Sequence, residues 1–367
     1  MNIYEQNLPK TAANYAALTP VDFLLRAAEV YPDRLAVVHG KIRRTWLQTY
    51  QRAQQLAHAL RALGVQKGDT ITAMLPNTPE MLECHFGVPV LGAVLNALNT
   101  RLDAASLTYM LNHGQAKVVI VDREFSKVMK EAILNANVKP IVIDVDDSEY
   151  DGAGERIGTH EYEALLAGAS TQSAPLTFQG DEWDAIALNY TSGTTGNPKG
   201  VVHTHNSLLN RAKAGADFDH LTDSEEVLAY LPPAWIGQNI FSYAQWLACG
   251  YVVNCPESAA TVTIDLKEIG PTYYFAPPRV FEGLLTSVMI RMEDAGAIKR
   301  AMFHKCMAVA QKVGPALMDT TFHSTGFGNP GELRVTAWQP DLATVAGPAE
   351  TVAVLGLRGL TIDPDEP

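Results

Sequence analysis

Short apolar runs alternate with longer segments that carry apolar residues at helical spacing, and this alternation restricts the possible folds more than any other feature. The runs at 118–121 and 141–143 are too short for helices and contain no polar residue, which is typical of strands buried on both faces of a parallel sheet. Segment 47–63 has the periodicity of an amphipathic helix and ends at Gly64. We therefore predict an α/β fold with helices on both faces of the sheet.

The same patterns recur along most of the chain. Thr19-Pro20 and Thr78-Pro79 each predict a helix start, because Thr caps free N–H groups and Pro suits the first turn. Two further helices are predicted near 281–295 and 298–313. Other predicted strands lie at 36–38, 69–75, 185–190, 227–230, 251–254 and 273–275.

The patterning divides the chain into three parts. Residues 1–180 are predicted as a first α/β subdomain, 181–318 as a second one with a phosphate-binding loop, and 319–367 as an atypical, poorly ordered tail. Within the tail, 352–355 has the composition of a strand but no evident pairing partner. Residues 146–182 show little pattern and are interpreted as a connection. The acidic run at 144–151 is interpreted as a solvated loop, because Gly158 stands where a calcium-binding EF-hand loop needs Glu.

Charge and cysteine usage exclude several classes of function. A formal net charge of −12 gives no support to nucleic-acid binding. None of the four cysteines is in a CxxC pair, so they are interpreted as reduced and buried. The amino terminus does not resemble a signal peptide, and the longest apolar stretch, 86–98, is shorter than the roughly 20 residues that span a bilayer. We predict a soluble cytoplasmic protein without a transmembrane segment.

The most informative stretch for function is 190–200, YTSGTTGNPKG, which directly follows the predicted strand 185–190. Glycines let backbone N–H groups approach an anion, hydroxyl groups add donors, and Lys199 adds a mobile positive charge. A plain Gly/Thr surface loop is the alternative interpretation. The stretch is neither a Walker A loop nor GxGxxG, because Pro198 and Gly200 flank the lysine and Gly193 is followed by Thr-Thr-Gly.

This stretch resembles the signature loop of the adenylate-forming superfamily, which includes acyl-CoA synthetases, luciferases and the adenylation domains of peptide synthetases. Segments 68–80, 92–102, 107–117 and 277–282 are also similar to acyl-CoA synthetases, so the resemblance covers roughly 15–318. The first half is most similar to ligases of short or medium-chain acids, and the part after His205 to long-chain ligases. A peptide-synthetase adenylation domain is disfavoured because no carrier-domain linker is present.

The resemblance implies ATP-dependent activation of a fatty (carboxylic) acid to an acyl-adenylate and then to acyl-CoA, with ATP, Mg²⁺ and coenzyme A as small-molecule partners. Trp235, Gly237 and Asn239 stand where the family places its acyl pocket, although a core position is the alternative for Trp235. His203 and His205 are interpreted as packing at a helix start, with metal binding as the alternative. The implied phosphate ligands are Thr191, Ser192, Gly193, Thr194, Thr195, Gly196 and Lys199, with Thr194 and Thr195 near Mg²⁺.

Later motifs that the resemblance implies are not found in the sequence. These are an aromatic-Gly-x-Thr-Glu motif, a ribose-binding Asp and a carboxy-terminal catalytic Lys, so no catalytic residue is assigned. We therefore expect an incomplete second subdomain, no carboxy-terminal small domain and impaired activity. A non-catalytic nucleotide-binding remnant of such a ligase is the alternative function.

Overall fold

The computed structural model describes residues 6–7, 9, 11, 13–169, 174–191, 197–323, 334–338 and 352–356, with backbone only for 314–323 and the last two ranges. The chain divides into two compact units. The first contains the described residues of 1–224 together with 229–265, and the second contains 225–228 with those of 266–367. The boundaries predicted at 180 and 318 stay predictions.

The strands and helices follow one another in the alternation that the sequence predicts. The strands are β1 (Leu35–His39), β2 (Ile42–Thr45), β3 (Thr70–Met74), β4 (Val94–Ala97), β5 (Ala116–Asp122), β6 (Ile141–Val145), β7 (His160–Glu161), β8 (Ala185–Tyr190), β9 (Gly200–Thr204), β10 (Glu226–Leu228), β11 (Val252–Cys255), β12 (Tyr274–Ala276), β13 (Arg334–Trp338) and β14 (Val352–Gly356).

The helices confirm the predicted starts at Pro20 and Pro79. They are α1 (Pro20–Val30), α2 (Trp46–Ala62), α3 (Pro79–Gly87), α4 (Ala104–His113), α5 (Ser126–Asn135), α6 (Tyr162–Gly168), α7 (His205–Phe218), α8 (Ile236–Gln238), α9 (Gln245–Cys249), α10 (Val262–Ile269), α11 (Pro278–Glu293) and α12 (Ala297–His323). A π-helical segment, Asn239–Ala244, joins α8 to α9.

A seven-stranded sheet in the order β7-β6-β5-β3-β4-β8-β9 forms the framework of the first unit. All its pairings are parallel except that of β8 with the edge strand β9. Alternate residues of β5 enter two different cores: Val118 and Ile120 pack with residues of α2 and α3, whereas Val119 and Val121 pack with residues of α4 and α5. Helices therefore cover both faces of the sheet, and the predicted α/β class is confirmed.

Two smaller sheets complete the architecture. In the first unit β1 pairs parallel with β11 and antiparallel with β2. Behind this sheet the rings of Trp46 and Trp246, both fully buried, stack 4.5 Å apart. In the second unit β14 lies between β12 and β13 and is antiparallel to both. The prediction that 352–355 has no pairing partner is therefore wrong.

The connection after β6 is more ordered than its sequence indicates, because β7 and α6 lie within it. Its acidic run is not uniformly solvated either. Asp144 is buried and accepts hydrogen bonds from the backbone of Ile157 (2.9 Å) and Gly158 (2.8 Å). Asp147 is buried against His39, with 3.1 Å between its Oδ1 and the imidazole Nε2. These hydrogen bonds attach the connection to the ends of β6 and β1. They take the place of water around the two buried carboxylates.

Candidate functional site: the β8–β9 hairpin and the segment beside it

The predicted phosphate-binding loop is the turn of an antiparallel hairpin. β8 ends at Tyr190, which pairs with Gly200 at the start of β9. One step further, the N–H of Thr191 donates a 3.0 Å hydrogen bond to the carbonyl of Lys199, which closes the turn. Five predicted ligands lie between these stems and outside the described residues: Ser192, Gly193, Thr194, Thr195 and Gly196.

The two predicted ligands that the structure describes, Thr191 and Lys199, are both exposed. Lys199 forms no ion pair with any residue in the described part of the chain. The turn follows the carboxyl end of β8, which runs parallel to β4, and α/β sheets characteristically bind ligands beyond this end of their strands. The stems thus present an unpaired cation where an anionic ligand can approach, which fits the phosphates of ATP.

The end of β8 is fixed by its neighbours. The hydroxyl of Tyr190 lies 2.8 Å from Nδ1 of His113, and burial raises the pKa of Tyr190 to about 12, so this phenol stays protonated. A side chain at Gly200 would come within 2.9 Å of Leu188, so the glycine permits close approach of the two strands. The hairpin is therefore positioned by contacts outside its turn.

The segment 231–239 lies against the ends of two parallel strands and is held there by side-chain amides. Asn77, just after β3, donates a 2.8 Å hydrogen bond to the carbonyl of Leu231. Asn189, in β8, donates a 2.9 Å hydrogen bond to the carbonyl of Ala234. The predicted acyl-pocket segment and the predicted phosphate loop are thus anchored to the same strand.

The three predicted acyl-pocket residues have different environments. The side chain of Trp235 is 38% exposed, so the alternative of a core tryptophan is wrong. Gly237 is half-buried. Asn239 is buried, and its amide donates to the carbonyls of Pro233 (2.7 Å) and Trp235 (3.0 Å). Asn239 therefore shapes the segment, and Trp235 is the one of the three with a large accessible surface.

A small pocket lies behind this segment, between the start of α3 and the π-helical turn. The imidazole of His85 and the ring of Tyr243 stack with centroids 4.2 Å apart and close one side of it. Burial lowers the pKa of His85 to about 3, so the ring stays neutral at physiological pH. The pocket is lined by Asn77, Thr78, Met81, Leu82, His85, Ala229, Pro233, Gln238, Asn239, Ser242, Tyr243 and Cys255.

Of the histidine pair after the loop, His205 has the packing role at a helix start that the sequence favoured, whereas His203 lies in β9 and the interpretation is wrong for it. His205 is the first residue of α7, fully buried, with its ring 4.3 Å from that of Phe178. Burial lowers its pKa to about 4. Burial also lowers the pKa of His203. The residues that the structure describes contain no group of three potential metal-binding side chains.

Sequence reasoning missed the residues that support the site, above all Asn77, Asn189 and His85. An asparagine within a strand that is otherwise apolar is a usable signal, since a buried amide needs a hydrogen-bond partner. For Asn189 that partner is 45 residues away in the chain. Spacing patterns describe neighbours within one element, so they contain no information about such a partner.

A mainly parallel sheet with helices on both faces, and a glycine-rich hairpin at the carboxyl end of its strands, defines an α/β protein with the large-domain fold of adenylate-forming enzymes. The chain belongs to the AMP-binding enzyme family, whose model matches residues 24–338. This match covers most of the chain and confirms the family that the loop indicated.

Individual relatives include CoA ligases of plants. The chain is 33% identical over 362 residues to an acetate–CoA ligase of Humulus lupulus, covering 91% of this chain and 62% of that protein. It is 43% identical over 203 residues to a peroxisomal benzoate–CoA ligase of Arabidopsis thaliana, covering 53% of this chain and 34% of the relative. The chain therefore spans less than two thirds of these curated relatives.

Solved structures agree on the fold. The crystal structure of the anthranilate CoA ligase AuaEII with anthranoyl-AMP matches with a TM-score of 0.63 and 24% identity, covering 72% of this chain and 50% of that one. Among the described residues, no helix is long and apolar enough to cross a membrane. The predicted cytoplasmic location stays a prediction, since some relatives are peroxisomal enzymes.

Proposed function

We propose that this chain binds ATP and a carboxylic acid for formation of an acyl-adenylate, which coenzyme A then converts to acyl-CoA. The single observation that carries the proposal is the arrangement of the β8–β9 hairpin: an exposed, unpaired Lys199 at the carboxyl end of a parallel strand, in a member of the AMP-binding family. Because the chain spans about 62% of a curated CoA ligase, the complete reaction is part of the proposal.

The chemistry explains the need for a cation at this turn. In adenylation a carboxylate attacks a phosphate, so two anions approach each other and a pyrophosphate leaves. Preorganised positive charge and N–H donors lower the cost of this approach. Lys199 and the loop 191–196 would hold the β- and γ-phosphates of ATP, which leave as pyrophosphate. The hydroxyls of Thr194 and Thr195 would lie near Mg²⁺, which supplies further charge neutralisation when bound.

The acid would lie along the segment 231–239. The carbonyl of Ala234 accepts a hydrogen bond from Asn189, so the middle of this segment lies beside the strand from which the loop leaves. Trp235 offers an accessible aromatic surface for an acyl group, and the half-buried Gly237, two residues on, has no side chain. Fatty acids are the proposed class of substrate, and acids of increasing chain length are the direct way to define the preferred one.

The test is ATP–pyrophosphate exchange on the purified chain, with acids from acetate to long-chain fatty acids. We expect acid-dependent exchange that falls at least about a hundredfold in Lys199→Ala, because one charged contact to a developing anion is removed. Lys213→Ala, an exposed lysine of α7, is the matched control and should retain exchange.

Calorimetric titration with ATP distinguishes the alternative function. ATP binding that depends on Lys199, without exchange for any acid, would replace the ligase proposal by a nucleotide-binding protein without catalysis. Failure to bind ATP in folded protein would exclude both functions.

A further inference from the structure

The second unit contains a helical hairpin that has no buried side chain among residues 278–313. It is formed by α11 and α12, which contact each other and are joined by residues 294–296. Within these residues, even the least exposed side chains of α12, such as Phe303 and Met307, are only half-buried. The hairpin therefore presents most of its surface outward.

An apolar stripe runs along the outer face of α12. Its members follow one another at intervals of four, four, three and four residues, which keeps them on one side of a helix. Ile298 is 85% exposed and Met302 is 63% exposed. The stripe consists of Ile298, Met302, Cys306, Val309 and Val313, all of them exposed. The interpretation of Cys306 as buried is therefore wrong.

α11 adds apolar surface of the same kind. Leu285 is 50% exposed and Ile290 is 61% exposed, and Val288 and Met289 are exposed as well. Exposed apolar side chains concentrated on two neighbouring helices mark an interaction site, because leaving them in water is unfavourable.

The charges beside the stripe identify its occupant. At 100° per residue, Lys299 lies at one edge of the stripe and Lys305 and Lys312 lie at the other. All three are exposed, and none forms an ion pair with a described residue. Segment 297–318 contains no acidic residue, although the whole chain has a net charge of −12. Segment 297–318 is thus positively charged in a chain that is acidic overall.

We propose that this hairpin binds the surface of a lipid bilayer with anionic headgroups. An apolar stripe edged by lysines is the pattern of a helix that lies in the plane of a membrane, with its apolar side chains in the acyl region and its lysines reaching the headgroups. A second copy of the chain is a poorer partner, because two such stripes would bring their flanking lysines together, and segment 297–318 has no carboxylate to offset them. The inference is independent of the proposed catalytic activity.

Vesicle flotation tests the proposal with the full chain. Vesicles of phosphatidylcholine with phosphatidylglycerol should carry the protein, and vesicles of phosphatidylcholine alone should not. Neutralising all three lysines (Lys299→Gln, Lys305→Gln and Lys312→Gln) should weaken binding about a hundredfold, since each lysine near such a surface contributes about a fivefold effect. High salt should weaken binding in the same direction.

Two further variants complete the design. Ile298→Ser with Met302→Ser should abolish flotation without changing the net charge. The control triple Lys127→Gln, Lys213→Gln and Lys267→Gln changes the same charge at exposed positions outside the hairpin and should bind as the unaltered chain does. Circular dichroism verifies that each variant is folded.

Equal binding to both kinds of vesicle, equal loss in the two lysine triples, or no flotation would overturn the proposal. Absence of flotation together with self-association that the Ile298→Ser, Met302→Ser variant abolishes would assign the stripe to a second copy of the chain instead.

Discussion

The side chain of Asn189 donates a 2.9 Å hydrogen bond to the carbonyl of Ala234 and so joins the strand that leads into the glycine-rich hairpin to the segment that carries Trp235. Asn189 is 7% exposed and Ala234 is 8% exposed, so water does not readily replace either partner. The contact links the two halves of the candidate site through a single buried bond.

Replacing this amide should therefore lower both stability and order at the site. For Asn189→Ala we expect the free energy of unfolding to fall by about 1–3 kcal/mol, because the Ala234 carbonyl is left buried without its donor. Denaturant unfolding measures the change. Asn135→Ala, at an exposed helix end, is the control and should change stability by less than about 0.5 kcal/mol. Equal effects of the two substitutions would contradict a special role for Asn189.

A buried ion pair between α2 and α3 supports the helix that follows Asn77. Glu83 is fully buried, with Arg52 Nε 2.5 Å from its Oε1 and the hydroxyl of Tyr162 donating to its Oε2 at 2.8 Å. Arg52→Leu removes the nearest charge that compensates Glu83 and leaves Arg44, whose Nε lies 3.6 Å from the same oxygen. The free energy of unfolding should therefore fall toward the lower end of about 3–5 kcal/mol.

The double variant Arg52→Leu, Glu83→Leu provides the decisive comparison. It removes both charges, so it should be more stable than Arg52→Leu alone. Lys130→Gln breaks an exposed pair with Glu155 and should cost less than about 1 kcal/mol. A double variant less stable than the single one would show that packing, and not an uncompensated charge, dominates at this position.

His39 makes stability depend on pH. Burial lowers the pKa of His39, but the hydrogen bond and charge of Asp147 raise it more, so the folded pKa lies above the ordinary value of 6.5. The contribution of His39 to the free energy of unfolding is fully present below pH 6.5 and is lost as pH rises through the pKa of His39 in the folded state. In His39→Gln, unfolding free energies measured between about pH 6 and 8 should therefore depend less on pH.

The exposed His304 serves as the control for this measurement. His304→Gln should retain the pH dependence of the unaltered chain, because this side chain is exposed. An unchanged slope in His39→Gln would mean that another group titrates in this range.

The alternation of apolar runs was sufficient to predict the α/β class and most strands, because a strand buried on both faces needs an uninterrupted apolar sequence. β5 and β6 show this most clearly. The same reasoning missed α6, which follows an acidic, glycine-rich stretch, and misjudged Asp144 and Asp147. Their burial depends on donors from distant residues and on His39, 108 positions away, which no local pattern contains.

The sequence predicted the loop of the candidate site but not the amides that support the neighbouring segment, for a related reason. A glycine-rich loop after a buried strand is a local feature, so the position of the β8–β9 turn follows from sequence. The amides that hold the neighbouring segment form contacts over 154 residues for Asn77 and 45 for Asn189. Such contacts exist only once the sheet has formed.

The accessible surface of Trp235 allows a direct test of the proposed acid-binding segment. Trp46 and Trp246 are fully buried, whereas Trp235 is 38% exposed and Trp183 is 68% exposed. The fifth tryptophan, Trp338, is replaced by Phe in every variant, so quenching by acrylamide should report mainly on these two exposed rings. In a Trp183→Phe background, we expect the substrate acid to protect the remaining fluorescence from the quencher, because an acyl group packed on the indole excludes it.

The matched variant Trp235→Phe, which keeps Trp183, separates this effect from a general change in conformation. If the acid binds beside Trp235, it should give no protection in that variant, since Trp183 lies just before β8 and outside the segment 231–239. Protection of Trp183 and not of Trp235 would move the acid away from this segment while leaving the proposed phosphate site untouched. Because the readout is fluorescence of the protein alone, it does not require that the chain complete the reaction.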